Sequence, residues 1–199
     1  MRLSNTQDSY GLLAVTLHWL VAITVVGLFA LGLWMVELTY YDDWYRSAPA
    51  IHKAVGVLLF IVVALRLGWR TRGPRPAPVA SHSTLERRAA ATAHVLLYAL
   101  LFAVMLSGYL ISTADGRPVD VLGVFQVPAL ISDLPGQADI AGKVHLYLAI
   151  SLVSLAGLHA LAALKHHVID RDPTLLRMLG RDPARSPRGR RAPAAPLDS

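Results

Sequence analysis

Four apolar stretches, each long enough to cross a lipid bilayer, constrain this 199-residue chain more than any other feature. They run from about Leu12 to Val36, Ala50 to Trp69, Ala89 to Ser112 and Val144 to Leu164, the last continuing as helix to His167. A hydrocarbon core of ~30 Å takes about 20 helical residues to cross. Backbone groups in lipid must bond to one another, so these segments are helices and not open strands. Only 16% of the residues are charged, against roughly a quarter in soluble domains. The expected fold is all-α: a four-helix integral membrane bundle occupying residues 1–180. Residues 181–199, rich in Arg, Pro and Ala, read as a disordered basic tail attracted to anionic lipid.

The charges are arranged by side. Arg70, Arg72, Arg75, Arg87 and Arg88 fall in one connection, and Lys165, Arg171, Arg177 and further arginines follow the last span. The other two connections hold Glu37, Asp42, Asp43, Asp115, Asp120, Asp133 and Asp139 against Arg46, Lys53, Arg117 and Lys143. The positive-inside rule then puts both termini in the cytoplasm. Because the basic residues border apolar spans, the net charge of +6 points to membrane lipid and away from nucleic acid. No small-residue cleavage site follows the first apolar run, so it reads as a retained helix. The inner connection, with Pro74, Pro76 and Pro78, reads as extended. The outer segment Val119–Ile131 reads as an apolar cap lying on the membrane surface.

The chain has no cysteine. Disulfides, thiolate metal sites and covalent c-type haem are thereby excluded, and any metal must be held by His, Met or carboxylates. Ionisable residues inside a bilayer are expensive and call for partners. His145 and His159 are 14 residues apart on the fourth helix, hence within about 40° of one face and ~21 Å apart along the axis. The first helix enters from the cytoplasm with His18 at the depth of His159. The second enters from outside with His52 at the depth of His145. Two pairs result, His18/His159 on the inner side and His52/His145 on the outer.

A lone histidine in a span usually only hydrogen-bonds, but two depth-matched pairs suit the axial ligation of two b-type haems across a bundle. Zinc would need three or four ligands at one point. Arg66, 14 residues after His52, falls at the inner level, where a guanidinium suits a haem propionate. Gly56 lies one turn after His52 and Gly32 14 residues after His18, positions where a flat macrocycle can approach the backbone. His94 has no depth-matched partner left and reads as a packing residue. His82 reads as a solvated loop residue. His166 and His167, at the aqueous boundary, are candidates to hydrogen-bond and protonate a quinone.

These segments resemble the prokaryotic cytochrome b561 family of four-helix dihaem proteins. The matching stretches are LHWLVAI around His18, IHKAVGVLLFIVVALRLGWR from Ile51 to Arg70, and KVHLYLAISLVSLAGLHALAALKHHVIDRDPTLLRML from Lys143 to Leu179. The last is the most specific, with its double histidine followed by D-x-T-L-x-R-M. The resemblance spans roughly Ser9 to Gly180. It implies two haem b groups on His18, His52, His145 and His159, electron exchange with ubiquinone, and residence in the bacterial inner membrane. It offers superoxide as one candidate donor on the periplasmic side and leaves the donor open. Two other readings compete: a cytochrome subunit anchoring a hydrogenase or formate dehydrogenase, and a proton-coupled transporter with a histidine relay and no haem. The transporter should show broken spans or inverted repeats.

Overall fold

The computed structural model describes residues 3–7, 9–74, 76–79 and 81–181. The expected tail lies outside them, apart from its first residue. Four long helices run up and down: α1 (Leu12–Met35), α2 (Ser47–Arg72), α3 (Thr84–Ser112) and α4 (Gln137–Val168). All four have the length and composition of membrane spans. Each is continuous, without the break a transporter core would show. A short helix, α5 (Thr174–Met178), follows α4.

α2 and α4 begin and end beyond their apolar stretches, and α3 begins before its own. Apolarity marks only the length that meets hydrocarbon, and polar residues carry the turns outside it. At the start of α3, for example, the Ser83 hydroxyl accepts from the Glu86 N–H while Glu86 accepts from the Ser83 N–H. This capping box satisfies two of the donors that a helix leaves unpaired at its first turn.

The bundle is apolar inside and out. Ile23, Val26, Leu65, Val95, Leu158 and Leu161 are each more than 60% exposed, an outer surface suited to lipid. The interior is built around Val21, Leu59, Val63, Leu101 and Leu152, with Val25, Leu28, Phe102 and Met105 packed against them. These residues form the middle layer of the bundle. Helices α3 and α4 pack most extensively, α1 lies against α2 and α4, and α2 also meets α3.

One connection departs from the all-α expectation. Val119–Val121 (β1) and Phe125–Val127 (β2) form an antiparallel hairpin. Val119 and Val121 are buried and Asp120 is exposed, so alternation turns one face of β1 onto the start of α2. The segment expected as an apolar cap therefore contains a hairpin, and Leu122, Val124 and Phe125 keep apolar surface exposed on it. Its turn puts Leu122 (φ 54°) and Gly123 (φ 71°) both in the left-handed region, with the Val124 N–H bonded to the Val121 carbonyl at 3.0 Å. Such primed turns match the twist of a hairpin. The Asp120 carboxylate accepts from the Gly123 N–H at 2.9 Å and fixes the corner.

The terminus-bearing end is laced together. The Trp19 indole N–H donates to the Met178 carbonyl at 2.8 Å and fastens α5 to α1. Arg177 donates to the Ala77 carbonyl at 2.8 Å, and the Ala77 N–H to the Gln7 carbonyl at 2.8 Å. Through Ala77 the inner connection is tied to both terminal segments.

Candidate functional site

Helical spacing puts imidazoles at two depths of the bundle, and long-range packing decides what they face. At the end away from the termini, His52 of α2 and His145 of α4 face each other with ring centroids 6.2 Å apart. Imidazole–metal bonds are about 2 Å long, so two rings meeting across one ion have centroids about 6 Å apart. The observed spacing fits a shared ion.

The surroundings prepare His145 for that role. Its Nδ1 lies 2.9 Å from the Val104 carbonyl. A carbonyl can only accept, so Nδ1 carries the proton and Nε2 keeps its lone pair for a metal. Ser107 Oγ, 3.2 Å from the same nitrogen, steadies the ring. The His52 Nδ1 is buried and has no hydrogen-bond partner among the described residues. A buried polar atom left in this way is unusual and marks His52 as a ring whose environment suits something other than a protein acceptor.

Two glycines back these rings. A Cβ at Gly32 would sit 3.3 Å from His52 Cε1, and one at Gly108 would sit 3.0 Å from His145 Cε1. Gly108→Val should therefore push His145 out of line and strip most of the outer-site chromophore. Gly27→Ala, where a Cβ meets nothing within 4 Å, should leave the visible spectrum unchanged. A spectrum of Gly108→Val identical to the wild type would contradict the crowding. A Cβ at Gly56 also meets nothing within 4 Å, so no protein side chain occupies the approach expected there.

At the terminus-bearing end the structure gathers more groups than depth matching expected. His18 lies within electrostatic reach of Arg66, His159 and His94. His94 and His159 stand edge to face with centroids 5.3 Å apart. His94, expected to pack beside the site and not to pair with a ligand of its own, packs against His159. Arg66 Nη2 reaches His18 Nδ1 at 2.9 Å, and the Arg66 and Arg70 guanidiniums lie 5.8 Å and 6.0 Å from the Tyr98 ring centre. Among the described residues, neither arginine has a carboxylate partner. The Tyr98 hydroxyl is buried and unpartnered. Two cations and an orphan hydroxyl beside a histidine cluster form a site for an anionic group, as the carboxylates of a haem would supply.

A third group lies at the aqueous boundary. His82 Nε2 is 2.7 Å from Asp172 Oδ2 and its side chain is only 15% exposed, which corrects its reading as a solvated loop residue. The partner is 90 residues away in sequence, so local composition could not reveal it. His166 Nδ1 lies 2.7 Å from Asp170 and 3.4 Å from Asp172. The Asp170 carboxyl is held below the ordinary range, chiefly by the Lys165 ammonium and then by His166. Burial opposes the Asp172 charge, yet hydrogen bonds from Thr174 and His82 outweigh it and lower that pKa too. His167 lines a neighbouring cleft of about 380 Å³ with Arg171, Asp172, Pro173 and Leu176.

Residues 9–181 match the family model for prokaryotic cytochrome b561. The chain is a member of that family. Cytochrome b561 homolog 2 of Escherichia coli K12 is 52% identical over 181 residues, covering 91% of this chain and 96% of the relative. A protein of Yersinia pestis described as probable superoxide oxidase CybB is 30% identical over 85% of this chain and 95% of its own length. Cytochrome b561 homolog 1 of E. coli K12 is 28% identical over 90% and 98%. Cytochrome b561 membership implies b-type haem, which the orphaned His52 Nδ1, the glycine backing and two arginines without a carboxylate partner among the described residues all fit. It also makes this cytochrome b561 a multi-pass protein of the bacterial inner membrane.

Proposed function

We propose that this cytochrome b561 carries two haems, one held by His52 and His145 and one by His18 and His159, and moves electrons from a periplasmic donor to ubiquinone. The observation that carries the reading is the presence of histidine groups at two depths of one bundle, separated by the apolar layer around Val63 and Leu152. When bound, each haem supplies a one-electron carrier, and a pair stacked across the membrane supplies a relay. The charge asymmetry of the loops supports an orientation with both termini in the cytoplasm. The His52/His145 pair then faces the periplasm, under the Val119–Val127 hairpin.

The protein's own groups set the conditions. His145 donates its Nδ1–H to the Val104 carbonyl, which leaves Nε2 as the nitrogen that would hold a metal. Arg66 can only donate, so His18 accepts at Nδ1 in the observed pose and carries its proton on Nε2. Ligation through Nε2 needs that proton gone, so Arg66 must turn to another acceptor. A haem carboxylate is an acceptor of the right charge.

Superoxide is the donor best supported by the named relative. Two superoxide ions each give up one electron and leave as dioxygen, while one ubiquinone takes both electrons and two protons to become ubiquinol. The protons come from the cytoplasmic side, where His167 borders the cleft and His166 stands beside it. Purified protein supplied with superoxide and a short-chain ubiquinone should form ubiquinol. His167→Ala and His166→Ala should slow that reaction, by about a hundredfold where a general acid is lost, and leave the haem spectrum intact. Unchanged rates in both variants would remove the quinone from this end of the bundle.

A further inference from the structure

We infer that His82, His166 and Asp172 form a binding site for a divalent transition-metal ion of the zinc class, separate from the haem ligands. The three come from the inner connection, the last turn of α4 and the turn before α5. One ligand atom from each lies within 4.8 Å of both others. His82 Nε2 is 2.7 Å from Asp172 Oδ2, and His166 Nδ1 is 3.4 Å from the same oxygen. Metal–ligand bonds of about 2 Å separate neighbouring ligand atoms by roughly 3.3 Å in a tetrahedron, so only small side-chain movements are needed. Two imidazoles and a carboxylate are donors that zinc and its first-row neighbours accept.

The site is braced. The Asp172 side chain is 4% exposed, and its other oxygen is fixed by the Thr174 N–H at 2.8 Å. The two imidazole rings lie 4.3 Å apart and 32° from parallel, and His166 Nδ1 would exchange its 2.7 Å contact with Asp170 for the ion. A fourth position remains for water. An alternative set, Glu86, His166 and Asp170, shares His166 but is already neutralised. Lys165 Nζ lies 3.1 Å from Glu86 and 2.7 Å from Asp170, and an ammonium there repels a second cation. The charge distribution selects the Asp172 set. A bound ion would staple the inner connection to the end of α4.

The test is calorimetric titration of zinc chloride into haem-loaded protein in detergent, after chelator treatment. Haem loading keeps the membrane histidines out of the measurement. One ion per chain should bind, with His82→Ala weakening it by about tenfold or more and Glu86→Gln leaving the affinity unchanged. Retention of the haem spectrum shows that each variant is folded. Asp172→Asn, which keeps an oxygen for the Thr174 N–H but loses the carboxylate charge, should also weaken binding, and His82→Gln should match His82→Ala. No saturable binding below about 100 μM would show a plain His82–Asp172 ion pair and overturn the site. So would equal affinity in wild type and His82→Ala.

Discussion

Replacing His145 with alanine should cut the haem content of the purified protein from two per chain to one and leave the inner chromophore in place. The ring sits 6.2 Å from His52, is aimed by Val104 and Ser107, and is backed by Gly108. No other histidine reaches that pair among the described residues. His52→Ala should give the same half-content. His159→Ala and His18→Ala should each remove the other haem. His94→Ala is the informative contrast, because His94 touches His159 without belonging to the proposed pairs. It should shift the inner band slightly and keep both haems. Quantifying haem per chain in these variants separates the ligand set, and loss of a haem in His94→Ala with retention in His18→Ala would reassign the inner pair.

Arg66→Met should have opposite effects on haem retention and on the bundle itself. Arg66 is partly buried inside the bundle, with no carboxylate partner among the described residues, so its charge is expensive there. Methionine removes the charge while filling similar space, and the haem-free protein should melt no lower than wild type. Haem binding should weaken. A hydrogen bond to a charged group contributes about 1.5–3 kcal/mol, or roughly 10- to 150-fold in affinity. Measured haem dissociation from the inner site should accelerate by a factor in that range. Equal dissociation rates would mean that Arg66 serves only His18, through the 2.9 Å contact to its Nδ1.

The fold was readable where lipid imposes a rule. Apolar length located α1 to α4, because a membrane helix must be apolar over the hydrocarbon thickness. It could not locate the polar ends: α4 begins at Gln137, whose side-chain amide donates to the Leu110 carbonyl of α3, a long-range contact. The S-T-L-E sequence at Ser83 carries the capping-box pattern of α3, ahead of the apolar stretch that located the helix. The Val119–Val127 hairpin was hidden because its turn uses Leu122 at positive φ, where glycine or asparagine is the usual marker.

Of the candidate site, the spacing carried more than was first taken from it. His52 and Arg66 are 14 residues apart, as are His145 and His159. The same interval joins His18 to Gly32 and His94 to Gly108. In each helix it puts one residue beside the inner cluster and one beside the outer pair. Read across all four helices, the interval would have singled out Gly108 and given His94 a place next to His159. Ser107 and Val104, which aim His145, follow only from packing. His82 and Asp172 meet across 90 residues, a distance at which no local pattern operates.

The decisive measurement is haem content and coordination in protein made with ample haem supply. Two bis-histidine, six-coordinate haems per chain in the wild type, and none in the His145→Ala, His159→Ala double variant, is the predicted result. A colourless wild-type protein, or two six-coordinate irons persisting in the double variant, would contradict it.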